Sequence, residues 1–311
     1  MLKKYIYKIL DLLILPIGLI VGYSILRLSF LKFYKHHLLS TWENKLNQSF
    51  IDKIFFRYVF RLWIKLDYLG EQDPNKREQL KGLAMGGESG KSWAQSYDSK
   101  SIDFSEKTGN LSFAEAHPFY KEIGNILHKS NDYLVIQIGS SSGKEIEYFA
   151  SLFPQNYFLG TDIYKEVIDY ASSTHVLSNL KFQIMPAHQI GNILINYTGK
   201  KILIFSSGSL QYVQPEHLDI FISEIAKYLN LEIILLEPQN EFYVSNHIIN
   251  KSSYRGNFSF NHDYKFYAEK ADIETINSRK IRPYIPYEDY PEHKGTVHYY
   301  YYGKSNNNRQ L

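Results

Sequence analysis

The stretch YLVIQIGSSSGKE, residues 133–145, decides the fold. Tyr133 to Ile138 is an apolar run of strand length. Gly139-Ser-Ser-Ser-Gly143 is a glycine-bounded turn, and a helical pattern carried by Ile146, Phe149, Ala150 and Leu152 follows. Strand, glycine turn and helix make the opening unit of a nucleotide-binding α/β sheet. The glycines let backbone approach a ligand and turn sharply into the helix, whose free amides then face that ligand. The next unit, YFLGTD at 157–162, is a strand ending in Asp162, 23 residues beyond Gly139. A carboxylate at the tip of the neighbouring strand can accept hydrogen bonds from both hydroxyls of a ribose. It can also cap the helix that comes next.

Outward from these two units the alternation continues. A helix runs through Val167, Ile168 and Ala171, and strands are expected at 180–184 and 201–205. A helix carrying Leu218, Phe221, Ile222, Ile225, Ala226 and Leu229 leads to a fifth strand at 231–236. Such alternation implies parallel strands with right-handed crossovers, and ligands bind beyond their carboxyl ends. A sixth strand at 270–278 and a seventh at 295–302 are separated only by the Pro-rich IRPYIPYEDYPEH. They are therefore expected to pair antiparallel.

Five alternating units closed by an antiparallel pair resemble the class I S-adenosylmethionine-dependent methyltransferase family, over roughly residues 110–303. The segments that carry the likeness are VIQIGSSSGKE, FLGTDIY, IFSSGSLQYV and NFSFNHDYKFYAEKADIE. The resemblance implies a doubly wound seven-stranded Rossmann-like α/β sheet whose last strand is antiparallel. It implies S-adenosylmethionine as cofactor and no metal. It also implies a cofactor site formed by Gln137, Gly139, Ser140, Ser141, Gly143, Asp162, Ile163, Ala187, His188, Ser206 and Ser207. The chain departs from the family at Gln137, where an acid is usual, and at Ser141, where a middle glycine is usual.

Competing motifs are weaker. Gly139-Ser-Ser141-Ser-Gly143 satisfies the G-x-S-x-G of a serine hydrolase with Ser141 as nucleophile, but the strands that should precede such an elbow are missing from the pattern. An NAD-type turn would want G-x-G-x-x-G, which this loop lacks. Gly86 to Ser92 approaches a phosphate-binding loop, yet Met85 stands where its first glycine belongs and no strand precedes it. The degenerate loop leaves one more alternative, a catalytically silent methyltransferase-like binding module.

The chain has 311 residues and no cysteine, which excludes disulfides, thiolate metal sites and a Cys nucleophile. Its net charge of +3 is uneven. Residues 1–65 carry eleven basic side chains against three acidic, so the remainder is net acidic. An acidic body argues against nucleic acid as a partner, and a basic head suits an anionic surface. Leu12 to Leu26 is an uncharged apolar run, short for a bilayer span and interrupted by Pro16 and Gly18. Phe50 to Leu69 places Lys53, Arg57, Arg61 and Lys65 four apart among aromatic residues, the pattern of an interfacial helix. The expected organisation is a basic helical membrane anchor at 1–69 and a linker or lid at 70–115. A methyltransferase-like domain at 116–303 and a polar tail at 304–311 follow. Trp93 and Tyr97, four apart in the linker, would form either a buried helix stripe or part of a lid. The expected location is cytoplasmic, membrane-associated through the N-terminal segment.

Methyl transfer requires mainly that donor and acceptor be held in line, with a general base where the acceptor is a hydroxyl. Glu237 and His262, near strand tips, are the expected catalytic residues; His117 and His188 are further candidates. Tyr212, Tyr243, Tyr254 and Tyr264 suggest an aromatic, hydroxyl-rimmed pocket. The expected acceptor is a sugar or small hydroxylated metabolite, free or carried on a lipid-linked glycan.

Overall fold

The computed structural model describes residues 61–100, 103–108, 111–197, 199–281 and 296–305. The apolar run at 12–26, the Pro-rich connection and the polar tail lie outside them. The chain divides into two compact units, with the boundary after Met85.

The first unit contains helices α1 (Arg61–Gly70) and α2 (Pro74–Met85). Ile64 and Tyr68, one turn apart, are buried, and the Arg77 guanidinium lies 5.8 Å from the Tyr68 ring centre. Two residues of this end of the expected interfacial helix are thus buried, while Leu69 is exposed; the rest of that helix lies outside the described residues. No helix among the described residues is long and apolar enough to cross a membrane.

The second unit opens with α3 (Gly87–Lys100), the short hairpin β1 (Lys107–Thr108) and β2 (Leu111–Ser112), then α4 (Phe113–Ala116) and α5 (Pro118–Leu127). The alternating part runs β3 (Tyr133–Ile138), α6 (Lys144–Leu152), β4 (Tyr157–Asp162), α7 (Lys165–Thr174) and β5 (Leu180–Ile184). It continues with α8 (Gly191–Leu194), β6 (Lys201–Ser207), α9 (Pro215–Ile225) and β7 (Leu231–Asn240). A hairpin of β8 (Ser252–Gly256) and β9 (Ser259–His262) comes next, then α10 (Tyr264–Lys270), β10 (Ile273–Ile281) and β11 (Thr296–Ser305).

The main sheet has the order β10-β11-β7-β6-β3-β4-β5. Strands β3 to β7 are parallel, and β11 lies antiparallel between β7 and β10. This is the seven-stranded Rossmann-like sheet that the resemblance implies. The sixth strand starts three residues later than expected because Tyr264 to Lys270 is helical.

Side chains alternate across the sheet. Leu134, Ile136 and Ile138 point to one face, where Leu218, Phe221, Ile222 and Ile225 of α9 and Tyr264 and Ala268 of α10 cover them. Tyr133 and Val135 point to the other, under Phe119 and Ile123 of α5 and Ile146 and Phe149 of α6. The expected apolar residues Leu152 and Leu229 are exposed, since each lies at or past the end of its helix. Trp93 is exposed too, while Ala94 beside it is buried, so the aromatic pair does not form one buried stripe.

Gly160, inside β4, makes room for a ring. A β-carbon there would lie 2.5 Å from Phe182 Cδ1 and 2.9 Å from Ser140 Oγ. Gly160→Ala is therefore expected to cost about 1–3 kcal/mol of stability by overpacking, measured by urea unfolding, and Phe182→Leu in the same chain should recover part of it.

Candidate cofactor and acceptor site

The loop between β3 and α6 turns through two left-handed glycines, Gly139 at φ 69° and Gly143 at φ 91°. Gly139 also permits a close approach: a β-carbon there would collide with the Ser209 side chain, whose hydroxyl donates to Gly139 O at 3.0 Å. The loop is thereby pinned to the tip of β6. Its other side is held by Ser140 N donating to Thr161 O at 2.7 Å.

Asp162 stands at the end of β4 against this loop. Its Oδ2 accepts from Ser141 N at 3.3 Å and its Oδ1 from Tyr164 N at 3.2 Å. The residue is partly exposed, and each carboxylate oxygen keeps acceptor capacity beyond these two long backbone contacts. Ile163 follows it, half-buried. The structure thus brings together Gly139, Ser140, Ser141, Gly143 and Asp162.

Gln137 lies behind the loop, 2% exposed, and donates through Nε2 to Glu145 Oε2 at 2.6 Å. Glu145, in the first turn of α6, was not singled out by sequence. Its carboxyl also accepts from Tyr120 OH at 2.7 Å and Tyr97 OH at 3.2 Å, and the Ser207 hydroxyl adds a further hydrogen bond. Burial pushes the Glu145 carboxyl up, partly offset by these donors. The acid missing at Gln137 is therefore present one hydrogen bond away. The available signal was a Glu on the first turn of the helix that follows the loop. Helix α3 closes over this cluster: besides Tyr97, its Asp98 accepts from Tyr170 OH at 2.9 Å, and Lys144 Nζ donates to Asp98 O at 3.1 Å.

Three buried polar atoms here have no hydrogen-bond partner among the described residues: Gln137 Oε1, Ser140 Oγ and Ser141 Oγ. Such orphans on and behind a glycine loop fit a polar ligand that completes them. The lone Ser141 hydroxyl also weighs against a serine hydrolase, which needs a base hydrogen-bonded to its nucleophile. Ala187 and His188 sit in a short turn beyond β5. Ala187 is buried, and the His188 ring stacks on His217 of α9 with centres 4.0 Å apart.

At the tips of β6 and β7 the expected bases have interior roles. Glu237 is fully buried. Its Oε1 accepts from Ser206 Oγ at 2.7 Å and from the backbone amides of Ser209 and Leu210 at 3.3 and 3.2 Å, and its Oε2 accepts from Gln211 N at 3.2 Å. Burial outweighs these donors and pushes the carboxyl up to about 7. His262 is also fully buried. Ser252 Oγ lies 2.7 Å from its Nδ1, and Val213 O lies 3.1 Å from its Nε2. A carbonyl only accepts, so Nε2 carries the proton. Desolvation holds this ring neutral, down to about 3. With every polar atom engaged inside the protein, both groups position backbone rather than face an acceptor. His117 likewise caps α5 through Nδ1 and is buried. Of the four tyrosines, Tyr243 donates to Lys251 O and Tyr254 accepts from Phe258 N, so both serve the β8–β9 region; Tyr212 and Tyr264 lie near Arg255 and Glu237. Among the described residues no cluster of three His, Asp or Glu could hold a metal.

No protein-family model matches the sequence, and no curated protein matches it. Among solved structures, the chain is similar to a TehB-like SAM-dependent methyltransferase from Corynebacterium glutamicum. That match has 14% identity and TM-score 0.44, covering 70% of this chain and 98% of that one. It is similar to a SAM-dependent methyltransferase from Anabaena variabilis at 11% identity and TM-score 0.45, with 70% and 93% covered. A third is the O-methyltransferase of a Brevibacillus brevis trans-AT polyketide synthase multienzyme in complex with S-adenosyl-L-homocysteine. There the identity is 10%, the TM-score 0.42, and the coverage 65% and 82%.

The His262 arrangement has a pH consequence. The folded ring refuses a proton that the unfolded ring takes up near its ordinary value of about 6.5. Its contribution to stability is complete above that value and is lost as pH falls toward the folded value of about 3. The raised Glu237 carboxyl acts in the opposite direction over the same range, so the variant comparison is the test: urea unfolding at pH 7.5, 6.5 and 5.5 is expected to show the stability advantage of the wild type over His262→Gln shrinking as pH falls.

Proposed function

We propose that the chain is an S-adenosylmethionine-dependent methyltransferase acting on a small hydroxylated acceptor, a sugar or a sugar on a lipid-linked glycan. The observation that carries this is the convergence of the Gly139–Gly143 loop, the Asp162 carboxylate and the Glu145 carboxyl at the carboxyl edge of the parallel strands. Asp162 would accept the ribose hydroxyls, and the loop amides would line the nucleoside. Glu145, aligned by Gln137 and Tyr120, would give up its longer contact to Tyr97 OH at 3.2 Å and accept from the methionine ammonium instead. When bound, the cofactor supplies a methyl group on a sulfonium for in-line displacement.

The chain's own residues supply placement. Glu237 fixes the turn Leu210–Tyr212, and with it the β6 tip beside Gly139. His262 holds Val213 at the end of the same turn. Both act as positioning residues, and rate enhancement rests on near-attack geometry. The silent-module alternative leans on Gln137 and Ser141, but Glu145 restores the carboxyl that Gln137 lacks.

Calorimetric titration with S-adenosylhomocysteine tests this reading. Asp162→Ala is expected to lose tenfold or more in affinity while remaining folded, since two acceptor contacts to ribose disappear. Because the Glu145 carboxyl is pushed up and an ammonium favours its ionised form, affinity should rise with pH across the mildly acidic range. Glu145→Gln should bind weakly and without that dependence. Unchanged binding in both variants would sink the proposal.

Location belongs to the same proposal: the basic residues of 1–65 would hold the enzyme at an anionic membrane face. The full chain should float with vesicles containing phosphatidylserine at low salt, and less at 0.5 M salt. Equal flotation with neutral vesicles would refute the electrostatic attachment.

A further inference from the structure

The hairpin β8–β9 is an addition beside the sheet, mounted on the end of β7. Gln239 Nε2 donates to His262 O at 2.5 Å, and Asn240 N donates to Asn261 Oδ1 at 3.0 Å. Ser252 Oγ, 2.8 Å from Tyr267 OH, ties it to α10. Its turn passes through Gly256, Asn257 and Phe258, all at positive φ.

This fixed hairpin carries Arg255 at the register shift between Tyr254 and Gly256. The guanidinium is held on two edges: Nε donates to Ser259 Oγ at 3.3 Å, and Nη2 donates to Gln211 Oε1. Gln211 in turn donates to Gly208 O at 2.6 Å, and the next residue, Ser209, bonds to Gly139 O. A short hydrogen-bonded chain thus links Arg255 to the cofactor loop. The third edge is different: Nη1 is buried and has no hydrogen-bond partner among the described residues.

No ion pair of the described residues includes Arg255. Glu237 is electrostatically close, but its carboxyl is occupied by Ser206 and three backbone amides. A second orphan lies in the same neighbourhood. Tyr264 is 1% exposed, its ring stands 5.5 Å from His262 and 6.1 Å from Tyr299, and its hydroxyl has no partner among the described residues. Arg255 and Tyr264 interact electrostatically, and Tyr212 belongs to the same group. A buried guanidinium edge can only donate, and a buried phenol hydroxyl can donate as well, so one acceptor placed between them would satisfy both. The ligand group that satisfies them together is an oxyanion.

We propose that Arg255 and Tyr264 form a specificity site for an anionic oxygen group, a carboxylate or a phosphate, on the acceptor. This rests on the methyltransferase reading for what the ligand is, and it adds that the hydroxylated acceptor carries an acid. Arg255 and Tyr264 bind this group and take no part in the transfer of the methyl.

The test uses the full chain saturated with S-adenosylhomocysteine and calorimetric titration of three matched pairs: glucuronate and glucose, glucose 6-phosphate and glucose, 3-hydroxybenzoate and 3-hydroxybenzamide. At least one anion is expected to bind about tenfold more tightly than its neutral partner, and the winning pair tells carboxylate from phosphate. Arg255→Gln should abolish that preference and Tyr264→Phe should reduce it several-fold, while affinity for S-adenosylhomocysteine stays within twofold in both. Arg255→Lys, which keeps the charge and loses the fork, should recover only part. If no anion is preferred by the wild type, or if Arg255→Gln keeps the preference, the assignment is overturned. Loss of S-adenosylhomocysteine binding in the wild type is a separate outcome: it strikes the methyltransferase reading, and the anion preference is then read on the chain without it.

Discussion

The buried carboxyl of Glu145 is the point on which the site is assembled. A carboxyl removed from water must find donors, and here they come from four elements: Tyr97 of α3, Tyr120 of α5, Gln137 of β3 and Ser207 of β6. Satisfying one group therefore fixes the helix after the glycine loop, two helices that precede the sheet, and two strand tips. Gly139 and Ser209 complete the arrangement by allowing the loop to touch the β6 tip. The glycine loop is thus held from behind by a polar cluster and from the side by a backbone contact that only glycine permits.

The parallel core was legible because its central strands, β3 and β6, are buried along nearly their whole length and read as apolar runs, while the edge strand β5 alternates buried Leu180 with exposed Lys181. Residues 133–138, 157–162 and 180–184 form the strands expected of them. The antiparallel closure was legible because the sequence between the last two strands is Pro-rich and carries no helical pattern. The hairpin of Ser252–Gly256 and Ser259–His262 was not, since Ser-Ser-Tyr-Arg-Gly has no alternating apolar pattern. Its position comes from bonds to Gln239 and Asn240, which no local pattern encodes. The chain position of Glu237 and His262 near strand tips was read correctly, yet their burial was not. Whether a carboxylate at a strand end faces solvent or caps a turn depends on where residues 209–211 fold back, a tertiary fact. Glu145 escaped notice because acids in the first turn of a helix usually serve its dipole in water.

The placement of β11 sets the order in which the sheet can form. Its run Tyr299-Tyr-Tyr-Tyr302 lies between β7 and β10, and β10 touches the sheet through β11 alone. While the chain is being synthesised, β3 to β7 can pair as they emerge, but β10 has no neighbour to join until residues 296–305 leave the ribosome. During that interval, of several seconds at roughly 5–20 residues per second, the free edge of β7 and the ribbon of β10 are unpaired. The pairing of β10 and β11 onto β7 therefore depends on residues 296–305, the last part of the sheet to become available.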